Sequence, residues 1–309
     1  MEFEGTEKKL EILVADDHPP LRSLGRPFWK DIVARSHATI LSTISNPDCD
    51  AFLLSESSLF VYDRRLIMIT CGRTTLIAAA LALVDRIGAE AIPSLIYERK
   101  NETFPGLQPS TFDEDAATLD QRIPGTALRF GNENGHHVSL FHLDRDFHPD
   151  PDDVTLEVLM YGLDPVQAAR FAAAPGGATK RIRATGIADL FPGFEIDDHA
   201  FQPAGYSLNG LGGSAYYTVH VTPERAGSYA SFETNASFAE PDLLRRQVLR
   251  VLEMFRPRRF DLMLFQTRMD FSRLDPRFRL EEEEQKRLGC GYDVQFCHFE
   301  RAPAARRSS

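Results

Sequence analysis

The stretch FLLSESSLFV, residues 52–61, sets Ser55, Glu56, Ser57 and Ser58 between two apolar triplets. A strand that buries one face alternates polar with apolar residues. Here Phe52, Leu53 and Leu54, and then Leu59, Phe60 and Val61, are continuous, the pattern of a strand covered on both faces, where unpaired polar groups are costly. The polar knot is either a turn between two short strands or a polarity with a use. The residues alone leave both readings open.

Working outward, period-2 apolar runs recur at residues 38–44, 66–69, 94–97, 138–143 and 155–159, with 52–61 read as one of their number. Helical patterns fall at 27–34, 75–87 and, after the start signal Asp164-Pro165, at 166–173. From Tyr206 the same grammar returns: strands at 216–221 and 229–232, a helix with Leu244, Val248, Val251, Leu252 and Phe255 on one face, then strands at 260–265 and 294–299. The order strand, strand, helix, strand thus occurs twice, as an internal duplication of units of about 150 residues would produce. Antiparallel sheets with helices on their outer faces, an α+β arrangement, are the natural packing. Residues 101–121 and 175–179 read as surface loops, the tail from 302 as frayed, and EEEE at 281–284 as a solvated helix face.

The chain has 309 residues, 43% of them hydrophobic, enough for a substantial core. A formal charge of −10 argues against general affinity for nucleic acid or anionic lipid and suits a cationic ligand. Cys49, Cys71, Cys290 and Cys297 show no CxxC pairing or metal-ligand rhythm, and the opening MEFEGTEKK lacks the basic-then-apolar order of a signal peptide. A cytoplasmic protein is expected. The most apolar helical run, residues 76–84, is too short to span a bilayer.

NGLGGSA at 209–215 looks like a phosphate-binding glycine loop, but strand-like AYYTVHV follows it where a nucleotide loop needs a helix, so a β-hairpin turn is the better reading. His220 lies in that strand on the face of Tyr216 and Thr218, with Glu224 at the strand end. A lone strand histidine is more often structural than catalytic. No second His or Cys stands at ligand spacing, and His136-His137 sits by a turn without carboxylate company, so no metal is expected. Ser207 and His220 could belong to a hydrolase triad, but Ser207 lacks the GxSxG elbow. The SESS knot, Cys71 and the Ser207/His220 pair stay ambiguous when taken singly.

Taken in order, FEGTEKKLEI at 3–12, LLSESSLFV at 53–61, TCG at 70–72, YERKN at 97–101, TLEVLM at 155–160, GYSLNG at 205–210, YYTVHVTPE at 216–224 and SYASFETN at 228–235 resemble the eukaryotic-type S-adenosylmethionine decarboxylases. The resemblance runs from Phe3 to about Phe299. It implies a four-layer αββα sandwich of two similar halves, in one domain spanning 1–309. It also implies self-cleavage between Glu56 and Ser57 into a small chain, 1–56, and a large chain, 57–309. Ser57 attacks the Glu56 carbonyl in an N-to-O acyl shift, the ester is eliminated, and Ser57 becomes a pyruvoyl group. Ser207 and His220 then serve processing, His220 as the base for the α-hydrogen of Ser57.

The pyruvoyl carbonyl would form a Schiff base with S-adenosyl-L-methionine and act as the electron sink for CO₂ loss, without metal or pyridoxal phosphate. By the same resemblance Cys71 reprotonates the α-carbon. Glu4 and Glu7 are acids near the reacting centre, Phe3 and Phe201 sandwich the adenine, Glu56 borders the substrate, and Glu224 binds the ribose hydroxyls. Putrescine as an activator would occupy Glu11, Asp153, Thr155, Glu157 and Glu233, walled by Phe265 and Tyr292. Ile69 and Ile96 depart from the Lys and Phe of putrescine-activated animal enzymes. Ala204 replaces a cysteine that is not a reacting group. The product would feed spermidine and spermine synthesis, and a homodimer is compatible with the family. An inactive regulatory paralogue is the rival reading, but the cleavage pair and the processing residues are present. A shift to another amino acid is opposed by Phe3, Phe201 and Glu224.

Overall fold

The computed structural model describes residues 5, 7–132, 135–172, 178–224, 227–238, 241–272 and 274–303. Among them the first half supplies β1 (Lys8–Leu13), β2 (Ile40–Ser45), β3 (Cys49–Leu54), β4 (Ser57–Tyr62), β5 (Arg65–Thr70), β6 (Ser94–Arg99), β7 (Gly125–Gly131) and β8 (His137–Leu143). The second supplies β9 (Thr155–Tyr161), β10 (Glu195–Ala200), β11 (Tyr206–Gly212), β12 (Ala215–Thr222), β13 (Tyr229–Thr234), β14 (Arg259–Phe265), β15 (Phe278–Arg287) and β16 (Asp293–Arg301). They form two antiparallel sheets ordered β2-β3-β4-β5-β1-β6-β8-β7 and β10-β11-β12-β13-β9-β14-β16-β15. Adding eight to each strand of the first order gives the second. The duplication expected from the recurring grammar therefore holds strand for strand.

Helices α1 (Gly25–Arg35), α2 (Leu76–Ile87) and α3 (Phe112–Asp120) cover the first sheet; α4 (Pro165–Arg170), α5 (Ala178–Arg183) and α6 (Pro241–Phe255) cover the second. Trp29, Ile32 and Val33 of α1 and Leu76, Ala79, Ala80 and Leu83 of α2 join Leu10, Ile12, Leu59 and Val61 in one core. In α6, Leu244, Val248, Val251, Leu252 and Phe255 recur at helical spacing and pack on Val158, Met160 and Leu262. Between the sheets lie two further apolar clusters, one around Phe60, Ile67, Ile69 and Tyr216, the other around Ile96, Phe130, Met263 and Phe296. The layers are helices, sheet, sheet, helices. A central strand such as β4 is covered on both faces, which is why Leu59, Phe60 and Val61 are all apolar.

An open reading is resolved, two expectations are corrected and one strand is added. The run 52–61 is two strands, β3 and β4, joined at Ser55 and Glu56. The loop read at 101–121 contains α3, whose start is a capping box: the Thr111 hydroxyl accepts from Glu114 N at 3.3 Å, and the Glu114 carboxylate accepts from Thr111 N at 2.8 Å. Glu281 to Glu284 lie on the edge strand β15, with exposed and half-buried positions alternating, and charge on an edge discourages pairing with another chain. Finally β1, a central strand, is not among the runs read from sequence although Lys9, Leu10, Glu11 and Ile12 alternate: Leu10 and Ile12 join the helix-side core, and the face turned to the other sheet presents Lys9 and Glu11. No helix among the described residues is long and apolar enough to cross a membrane.

Candidate active site

The hairpin of β3 and β4 turns within two residues, pairing Leu54 with Ser57. The turn is tied down at Ser55, whose N–H donates to Thr39 O at 2.8 Å and whose Oγ accepts from Thr39 N at 3.0 Å. Ser57 leaves it with φ at 137°, a backbone setting that an L-residue rarely adopts. The turn reading of the polar knot holds, and the turn is a strained one. The geometry described is that of the intact Glu56–Ser57 peptide.

Cys71, just beyond the end of β5, grips the peptide between those residues. Its N–H donates to Glu56 O at 3.0 Å and its thiol to the same oxygen at 3.4 Å, while Ser57 Oγ lies 3.5 Å from Cys71 Sγ. Two donors on one carbonyl oxygen would support negative charge arising there. Burial first, then the nearby Glu56 carboxylate, pushes the Cys71 thiol up to about 12. It is a protonated thiol at neutral pH.

The facing sheet supplies the opposite wall. The register of β11 on β12 pairs Ser207 with His220 and Asn209 with Thr218. His220 Nδ1 is 2.9 Å from Ser207 Oγ, and Nε2 is 2.9 Å from Thr218 Oγ1 and 3.3 Å from Ser58 Oγ. Burial pulls His220 down to about 3, so the ring is neutral. Tyr216, Thr218 and His220 share the inter-sheet face, as alternation required. The sequence reading had not seen that Ser58, not Ser57, reaches across to His220, and it had given Asn209 and Thr218 no role. The usable signal was parity: Ser58 shares the face of Phe60, which packs against the other sheet.

A cavity of about 300 Å³ opens between these walls. Of the residues expected at the site it brings together Glu56, Ser57, Cys71, Phe201, Ser207, His220 and Glu224, with Ala204 in the same rim loop. Phe3 and Glu4 lie outside the described residues. Glu7 sits behind the rim, accepting hydrogen bonds from Ser231 Oγ at 2.6 Å and Tyr229 OH at 3.3 Å. Burial pushes it up to about 8 against the pull of Ser231. Just before it, Gly5 packs so closely on β12 that an added Cβ would stand 2.9 Å from Thr222. A larger cleft of about 660 Å³ on the same rim, lined by Glu102, Arg258, Arg259 and Arg301 among others, holds none of these groups.

The acids matched to putrescine stand apart from this cavity, between the two central strands, and they are already in ionic contact with the chain itself. Lys9 Nζ lies 2.8 Å from Glu157 and 3.0 Å from Glu233, and Lys100 pairs with Glu157 and Glu98. Arg65 bridges Glu11, at 3.1 Å, and Asp153, which also accepts from Tyr292 OH at 2.6 Å. Phe265 lies under Lys9, 5.8 Å from its ammonium, and Thr155 is buried beside it in the ladder. Burial would raise Glu157, but Lys100 and Lys9 outweigh it and hold the carboxyl at about 2, whereas burial leaves Glu233 at about 7. Ile69 and Ile96 belong to the flanking apolar clusters. Lys9, Arg65, Lys100 and Glu98 were not singled out from sequence, because nothing local marks a buried ion partner.

The expectation that His136 lacks carboxylate company is also corrected. His136 Nδ1 and His298 Nδ1 stand 3.3 and 2.6 Å from the two oxygens of Asp261. The two rings stack with centroids 4.6 Å apart and planes 17° from parallel. Ring lone pairs lie in the ring planes, and nearly parallel planes at that spacing do not converge on one ion. The group reads as a hydrogen-bonded carboxylate clamp.

Comparison with known proteins agrees with this geometry. The sequence profile of the family described as adenosylmethionine decarboxylase matches residues 1–303. The S-adenosylmethionine decarboxylase proenzyme of Dictyostelium discoideum is 35% identical over 287 residues, 85% of this chain and 74% of that one. The proenzyme of Xenopus laevis is 36% identical over 280 residues, 85% and 83% of the two chains. Among solved structures, the Trypanosoma brucei AdoMetDC-delta26 monomer superposes with a TM-score of 0.63 at 26% identity, over 79% of this chain and 99% of that chain.

Proposed function

This chain belongs to the adenosylmethionine decarboxylase family, and from that premise we propose that it is a self-cleaving, pyruvoyl-dependent decarboxylase of S-adenosyl-L-methionine. The observation that carries the reading is the Glu56–Ser57 peptide, strained at Ser57 and held through its carbonyl by Cys71. Ser57 Oγ adds to the Glu56 carbonyl carbon, with Cys71 N–H and Sγ–H facing the oxygen that gains charge, and the C–N bond breaks to leave an ester and a free amine. His220 then takes the α-proton of Ser57. The C–H pair becomes a Cα–Cβ double bond, the Cβ–Oγ bond breaks, and Oγ leaves as the carboxylate of Glu56. Water displaces the nitrogen as ammonia, so that residues 1–56 and 57–309 part and the second begins with a pyruvoyl group.

The residues present fit that group, since Ser57 lines the cavity and carries the hydroxyl from which it is made. When formed, it supplies an electrophilic carbonyl that takes up the substrate amine and draws off the electrons released as CO₂ leaves. Phe201 stacks on the adenine, Glu224 receives the ribose hydroxyls, and Glu56 keeps carboxylate near the cationic sulfonium. Cys71, protonated by the burial described, returns a proton to the α-carbon. Glu7 holds its proton close behind the rim. No metal enters this account. The cytoplasm is the compartment it suits, and a homodimer is compatible with it.

We assign the effector role to the acids around Glu157. Glu11, Glu98, Asp153, Glu157 and Glu233 are five carboxylates facing the three cations Lys9, Arg65 and Lys100. A diamine suits a site where carboxyl groups outnumber cations but must compete with Lys9 for Glu157 and Glu233. Putrescine is therefore a weak activator of this chain.

Purified wild-type protein should run as two chains on a denaturing gel, the larger lighter by one ammonia than residues 57–309, while Ser57→Ala stays whole. A wild-type chain that also stays whole would sink the reading. Cys71→Ala should still cleave, because the backbone N–H remains on the Glu56 carbonyl, yet release CO₂ from labelled substrate far more slowly. Unchanged turnover would remove Cys71 from its role.

A further inference from the structure

On the self-cleavage reading, on which this inference rests, His220 must offer an unprotonated ring nitrogen, and a neutral imidazole has two to choose between. The hydrogen bonds around the ring make the choice. Thr218 and Ser58 both face Nε2, and each hydroxyl has one proton to give. Thr218 has Leu208 O at 2.9 Å to donate to, with Asn209 Oδ1 at 3.1 Å as its second acceptor, and Ser58 donates to Asn209 Oδ1 at 2.6 Å. With its proton committed to the backbone oxygen of Leu208, Thr218 turns a lone pair toward Nε2, and Ser58, 3.3 Å from both Thr218 Oγ1 and Nε2, is the more distant neighbour. Nε2 therefore carries the hydrogen and donates chiefly to Thr218, the nearer at 2.9 Å. Nδ1 keeps the lone pair, facing Ser207 Oγ at 2.9 Å.

We propose that Thr218, braced by Ser58 and Asn209, is a positioning residue that locks His220 in the Nε2–H tautomer, so that Nδ1 is the base in the conversion of Ser57. Burial already keeps the ring neutral, so the tautomer is the variable left for the site to control. The device is built into one hairpin. The pairs Ser207–His220 and Asn209–Thr218 are successive same-face rungs of β11 and β12, so one register places the partners of both ring nitrogens. Leu208 O is a backbone group whose position no side-chain rotation can alter.

The test joins a direct readout to a kinetic one. In Ser57→Ala protein, which stays uncleaved, ¹⁵N signals of labelled histidine should show Nε2 protonated and Nδ1 pyridine-like. Thr218→Val keeps the shape but loses the acceptor: the ring should shift toward the Nδ1–H form. With Ser57 intact, formation of the pyruvoyl chain should slow by about 10-fold to 10⁴-fold, the range that a misoriented or wrongly tautomeric histidine costs, and a hydroxylamine-sensitive ester should accumulate. Thr218→Ser should restore both tautomer and rate. The proposal is overturned if wild-type Nδ1 carries the proton, or if Thr218→Val keeps the tautomer and cleaves at the normal rate. Should Thr218→Val not fold, the tautomer in Ser57→Ala protein and the rescue by Thr218→Ser decide alone. His220→Ala separates the two layers: normal processing in it removes the base role itself, whereas failed processing beside an Nδ1–H ring overturns the tautomer assignment only.

Discussion

A carboxyl group sealed from water and met by hydroxyl donors rather than a close cation keeps its proton well above the usual range, and Glu7, between Ser231 and Tyr229, is in that position. With the folded value near 8 and the unfolded one near 4.5, the native chain holds a proton across that interval that the unfolded chain has released. Stability therefore falls as pH rises through the interval, and levels off above it. Glu7→Gln abolishes that slope. In a Ser57→Ala background, urea unfolding should show Glu7→Gln gaining on its parent from pH 5 to pH 8 by a margin on the order of 4 kcal/mol. Parallel pH dependences would mean that Glu7 is ionised in the fold. The chemistry of this site was legible where order along the chain carries it, as in Glu56-Ser57, Cys71 and His220. It was not legible at Ser58, Thr218 and Asn209, because a hydroxyl or amide gains its role only from what the opposite sheet puts in front of it.

At the scale of an element, the β3–β4 hairpin stores strain at Ser57, the first residue of β4. Glycine normally costs a strand about 0.5–1 kcal/mol against alanine, through backbone entropy. At φ 137° the preference should invert, since a Cβ there carries about 1–3 kcal/mol of strain that glycine escapes. Neither Ser57→Gly nor Ser57→Ala can cleave, so the two can be compared intact by their urea midpoints. Ser57→Gly is expected to be the more stable; alanine ahead by the ordinary margin would show the turn to be relaxed. The elements legible in the sequence were those whose apolar residues keep a period, such as α2 and α6. β1 keeps such a period too, Lys9, Leu10, Glu11 and Ile12 alternating, and went unread, whereas α3 was hidden because the Thr111/Glu114 box lies in a stretch rich in proline and acid. β15 was taken for a helix because four successive glutamates fit a solvated face of either kind.

For the molecule as a whole, the two halves meet through apolar clusters on either side and a buried ionic group in the middle, where β1 faces β9. Buried ions are costly to strand: removing one member of such a group typically destabilises by about 3–5 kcal/mol, because the partner is left uncompensated. Lys9 faces Glu157 and Glu233 together, so replacing it by an apolar side chain leaves Glu233 without its cation and Glu157 with Lys100 alone at the centre of the sandwich. Lys9→Met should lower the melting temperature, and putrescine, whose two ammonium groups can replace the one lost, should restore it. Turnover should follow the same course, with diamine dependence marked in the variant and slight in the wild type. The restoration should be greater at pH 8 than at pH 6, because burial raises Glu233 above the usual carboxylate range and the loss of Lys9 raises it further, so that it presents more charge to a dication at the higher pH. Melting curves with and without putrescine at the two pH values measure all of this. A wild type strongly stabilised by putrescine, or a Lys9→Met variant indifferent to it, would show that Lys9 does not stand where the diamine would act.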